Sequence, residues 1–130
     1  MRRRVRTVVL VLSLGVGAAG CDGGGGSEGG GGDLVSCTTT FPTNRVMCEE
    51  IVGLSAAGAE NYRDFCLTLL TPQEQADFEL RPCSHVGAVG GCRIAQGPTS
   101  VTEWYYAAAG FTAADVKTGC SGNGATFIPP

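Results

Sequence analysis

Six cysteines in the last 98 residues, Cys37, Cys48, Cys66, Cys83, Cys92 and Cys120, constrain this chain more than any other feature. A domain of that size sits near the limit at which one hydrophobic core suffices. An even count in a chain with an export signal reads as three disulfides, each contributing about 2–4 kcal/mol mainly by restricting the unfolded chain. The sequence does not choose among the pairings. No two of the six stand close enough for a zinc knuckle and the chain has one histidine, so neither a metal nor another cofactor is expected.

The six fall into two groups of three, Cys37, Cys48 and Cys66, then Cys83, Cys92 and Cys120, which suggests two related halves over 37–66 and 83–120. Three is odd, so a fully oxidised monomer must join the halves by at least one disulfide. Each group ends after a helix-like segment. In "SAAGAENYRDFC" Ser55 is an N-cap and Ala59, Tyr62 and Cys66 share a face. In "TAADVKTGC" Thr112 and Asp115 form the pattern of a capping box, with Ala113, Val116 and Cys120 aligned.

Strands are expected around these helices. Alternation in "VTEWYYAAAGF" puts Thr102, Trp104 and Tyr106 on one side and Val101, Glu103 and Tyr105 on the other. "RVMCEEIVGL", "VGGCRIAQG" and "GATFIPP" read as further strands. "TPQEQADFELRP" reads as a short helix, with Thr71 as N-cap, Pro72 in the first turn and Glu74 at the third position. The expected fold class is α+β, a small disulfide-rich domain with a few antiparallel strands and two or three short helices.

The seventh cysteine belongs to a different kind of segment. Arg2, Arg3, Arg4 and Arg6 precede an apolar run too short for a bilayer span, which reads as a signal peptide over 1–20. Ala18, Ala19 and Gly20 before Cys21 resemble the lipobox of bacterial lipoproteins, although Ala18 stands where leucine is favoured. The resemblance implies that Cys21 carries acyl chains and begins the mature protein. Residues 21–32 hold eight glycines, a flexible tether spanning about 20 Å. These glycines lack the spacing and lysine of a phosphate-binding loop. Residues 33–130 form the globular domain.

The second half also resembles small cysteine-rich domains recurrent in bacterial lipoproteins, through Gly90-Gly91-Cys92, Tyr105-Tyr106, Ala113-Ala114, Cys120 and Gly124-Ala125-Thr126-Phe127. The resemblance implies an exported envelope protein and supplies no catalytic residues. Without the leader, five Lys and Arg stand against 12 Asp and Glu, a net charge of −7 that opposes nucleic-acid binding.

Candidate chemistry is sparse. Cys83, Ser84 and His85 could pair a nucleophile with an imidazole, but a disulfide-bonded Cys83 has no thiolate. Glu49 and Glu50 are adjacent, so on a strand they point to opposite faces. Trp104 and Tyr106 could form a ring platform for a glycan or protein, or serve as core. Arg81, in "ELRPCSHVG", marks a loop suited to presentation between disulfides. The expectation is an envelope lipoprotein attached to a membrane through Cys21. It would act as a non-enzymatic binding or structural module for an envelope protein or glycan. The alternative is a small inhibitor of an envelope or secreted hydrolase.

Overall fold

The computed structural model describes residues 33–43, 46–68, 71 and 73–130. The expected signal peptide, Cys21 and the glycine tether lie outside the described residues. The chain runs β1 (Asp33–Thr40), β2 (Val46–Leu54), α1 (Ala56–Thr68), β3 (Gln75–Glu79), β4 (Ala88–Gln96), β5 (Thr99–Tyr106), α2 (Ala113–Gly122) and β6 (Thr126–Ile128). All six strands form one antiparallel sheet in the order β3-β1-β2-β5-β4-β6. The α+β expectation holds, and the disulfides are Cys37–Cys66, Cys48–Cys83 and Cys92–Cys120.

Order and pairing together reveal a repeat. β1-β2-α1-β3 and β4-β5-α2-β6 are two ββαβ units, each with its first strand in the middle and its second strand meeting its counterpart at the sheet centre. In each unit one disulfide fastens the first strand to the C-terminal part of the helix, through Cys37–Cys66 and Cys92–Cys120. The two units span 33–79 and 88–128, and they contain the expected halves 37–66 and 83–120 except for connector residues 83–87. Cys83 lies in the connector, and Cys48–Cys83 is the bond between the two groups of three that the odd count requires.

Local chemistry explains most elements. Ser55 accepts a hydrogen bond from the Gly58 amide and opens α1, whose buried Ala59 and Cys66 and half-buried Tyr62 face the sheet. Thr112 and Asp115 form a complete capping box at α2, with Val116 and Cys120 turned inward and Ala113 exposed. A two-residue connection joins β4 to β5, beginning with left-handed Gly97 (φ +61°) before Pro98, as a type II′ turn requires.

Residues 75–79 are a strand, in place of the expected helix. The helix-start pattern is used, but only for one turn: the Thr71 amide donates to Glu74 Oε2 at 2.9 Å and the Glu74 amide to Thr71 O at 3.0 Å. Beyond it, pairing with the open edge of β1 over five residues overrides local helix preference, and alternation puts Phe78 against Tyr62 of α1.

Both helices lie on one face of the sheet, where Val35, Ile51 and Ala59 form a core with Leu54, Tyr62, Phe78 and Val101. The opposite face carries Cys48, Trp104 and Tyr106, which pack with Cys83, Val46, Ala88 and Ile128 beneath the connector. Gly90 and Gly91 serve both faces. A Cβ on Gly90 (φ +150°) would collide with the Phe127 ring, and one on Gly91 would sit 2.9 Å from Thr102 Cγ2 and 3.2 Å from Trp104 Cδ2. The "GG" of the motif is thus a seat for two aromatic rings.

Candidate functional site

Two regions gather the chemistry, one on each face. The first is the connector segment 80–87. Its backbone is held at several points: Cys83 by the disulfide to Cys48, the Cys83 amide by Glu50 Oε2 at 3.1 Å, and Ser84 O by the Tyr106 hydroxyl at 2.7 Å. The His85 ring packs on Trp104 with centroids 3.9 Å apart. Burial, and then the charge of Glu50, push the Tyr106 phenol upward, so it stays a donor.

Around these anchors the segment faces solvent. Leu80 is 74% exposed and Val86 88% exposed, and Arg81 is exposed beside Glu79, with which it forms a two-pronged hydrogen-bonded ion pair. The Arg81 guanidinium holds the Glu79 carboxyl below its usual range.

This geometry corrects the ring-platform expectation. Trp104 is 2% and Tyr106 9% exposed, because the connector covers the face on which alternation correctly places them. Their rings support the segment rather than offer a binding surface. Cys83, Ser84 and His85 form no nucleophile–base set: Cys83 is a disulfide half, and His85 is turned onto Trp104. Glu49 and Glu50 do point to opposite faces. Glu50 is buried under the connector, and Glu49 is half-buried on the helix face.

The second region lies between the helices. One row of residues crosses the sheet as Phe78, Cys37, Glu49, Glu103, Cys92 and Phe127, one from each strand. The sequence thus repeats about its own centre, and Glu49 and Glu103 stand directly opposite each other there. Like charges in that position destabilise a sheet. Each accepts a proton donor: the Tyr62 hydroxyl gives to Glu49 Oε1 at 2.7 Å and the Tyr105 hydroxyl to Glu103 Oε2 at 2.6 Å. Burial, aided by repulsion from Glu103 and outweighing the Tyr62 hydrogen bond, raises the Glu49 carboxyl above its usual range. Both phenols are raised, chiefly by burial. No basic side chain among the described residues forms an ion pair with either carboxylate.

A cavity of about 140 Å³ opens over this pair, lined by Glu49, Glu103, Tyr62, Phe41, Met47 and Phe65 among others. Through Phe41 and Met47 it adjoins a depression of about 360 Å³ with Pro42, Thr43 and Phe111 on its wall. Sequence reasoning missed this site because it depends on register. One signal was available: Glu49 follows Cys37 by 12 residues and Glu103 follows Cys92 by 11.

The chain matches no known family model, no curated protein and no solved structure. Three disulfides fit folding in an oxidising compartment. No helix among the described residues is long and apolar enough to cross a membrane.

Proposed function

We propose that this chain is an exported envelope lipoprotein, anchored through acyl chains on Cys21, that works by binding a partner protein through the connector 80–87. The observation carrying this reading is the combination of exposed Leu80, Arg81 and Val86 with a backbone already fixed by Cys48, Glu50 and Tyr106. A segment ordered before binding loses less entropy on association, and arginine is a favoured interface anchor. The glycine tether would let the domain stand clear of the headgroups.

The same features favour one narrower reading, a tethered inhibitor of an envelope or secreted hydrolase. Its contact loop would be this disulfide-pinned segment, presented as a rigid backbone.

Site-specific photo-crosslinking in the native envelope tests the proposal. A crosslinker at Val86 should give one discrete product, lost on Arg81→Asp, while a crosslinker at Glu60 on α1 should not. Arg81→Ala should leave the melting temperature unchanged, since the ion pair with Glu79 is exposed. Equal crosslinking from both positions, or none from Val86, would remove the connector as the binding surface.

A further inference from the structure

The paired carboxylates stand between the helices, where Glu49 accepts from the Tyr62 hydroxyl of α1 and Glu103 from that of Tyr105, and neither forms an ion pair with a basic side chain among the described residues. The row containing them is otherwise filled by two disulfide cysteines and two phenylalanines, residues that hold the helices and pack the sheet. Glu49 and Glu103 instead line a cavity. What that cavity displays is specific. Both tyrosine hydroxyl protons are committed to the carboxylates, so in their ionised form the two carboxylates, with the Tyr62 oxygen beside them, present only acceptors to the cavity. Their complement is a cation carrying several donors.

The walls narrow the choice. Phe41, Met47 and Phe65 give the cavity an apolar flank, and the neighbouring depression at Phe41, Pro42, Met47 and Phe111 is larger than a single charged head requires. A long apolar stem ending in a cation matches the first, and an adjoining apolar residue matches the second. The strongly negative balance of the chain after its leader favours a basic partner at longer range.

We propose that this groove receives a lysine or arginine side chain of a partner protein, its methylenes along Phe41, Met47 and Phe65 and its charged head between Glu49 and Glu103. The site lies on the face opposite the connector and does not rest on the reading of 80–87. An envelope module with both surfaces could engage two partners, or two parts of one.

The test is a nuclear magnetic resonance titration of the intact protein in detergent. Three probes are compared: the tripeptide acetyl-Leu-Lys-Leu-amide, its twin with norleucine in place of lysine, and butylammonium chloride. The expected result is saturable amide shifts at Met47 to Glu49 and Glu103 to Tyr105 with the lysine peptide. Binding should weaken about tenfold or more for the norleucine twin and for Glu103→Gln, the loss expected of a charge-assisted hydrogen bond. Circular dichroism checks that Glu103→Gln keeps the fold, and Glu49→Gln provides a second variant with the same expectation. The proposal is overturned if those amides do not move, or if the norleucine twin or both glutamine variants bind as tightly. Butylammonium binding as tightly as the peptide would overturn the polypeptide as occupant and leave a free amine site.

Discussion

Removing Cys48–Cys83 separates what this bond does from what the other two do. The substitutions are Cys48→Ala and Cys83→Ala together, which leave both helix-fastening disulfides in place. The bond spans a sequence separation of 35, for which the chain-entropy relation gives about 3.8 kcal/mol of stabilisation. Both cysteines are buried, so packing loss adds to that value rather than offsetting it. For a domain whose total stability is of order 5–15 kcal/mol, the loss is a large fraction. The assay is urea unfolding followed by fluorescence, because the chain has one tryptophan and Trp104 lies beneath the connector. The double variant should unfold at much lower urea, and its native-state emission should become accessible to iodide as the connector loosens. A loss below about 1 kcal/mol with Trp104 still shielded would refute both the entropy estimate and the role of the connector as a cover.

Three further outcomes rest on the same contacts. Gly90→Ala should destabilise by about 1–3 kcal/mol in urea unfolding, through its left-handed backbone and the Phe127 ring that a Cβ would meet. Tyr106→Phe should cost about 1 kcal/mol and speed amide exchange in the connector, since the hydroxyl donates to Ser84 O. Glu49 has a raised carboxyl pKa, so its folded form holds a proton more tightly than the unfolded chain. Its contribution is full below the unfolded value near 4.5 and is lost as pH rises through the folded value. Glu49→Gln should therefore gain stability relative to the parent between acid and neutral pH, measured as paired urea midpoints across that range.

The parts of the fold legible in the sequence are those fixed by neighbours in the chain. Ser55 and Thr112 satisfy amide groups within three residues of themselves, and strict alternation at Thr102, Trp104 and Tyr106 settles which side chains share a face. The odd number of cysteines in each group forces a connecting disulfide by arithmetic. Residues 75–79 mislead a local reading because Thr71 and Glu74 do make the contacts of a helix start, while the open edge of β1 turns the next five residues into a strand. No local pattern marks β1 as that edge. Burial of Trp104 is equally out of reach, since alternation assigns a face but not the segment that covers it. The pairing of Glu49 with Glu103 joins residues 54 positions apart and rests on the register of two central strands. Only the similar intervals from cysteine to glutamate, 12 residues and 11, hint at it.

Intact mass spectrometry of the protein from its native membrane, with and without reduction and alkylation, tests the proposed lipid tether and the three-disulfide framework most directly. The expected result is a mass that includes acyl chains on Cys21, with six further thiols appearing only after reduction. Peptide mapping should link Cys37 to Cys66, Cys48 to Cys83 and Cys92 to Cys120. An unacylated Cys21 would contradict the anchor, and free thiols before reduction or a different set of links would contradict the framework that holds the connector in place.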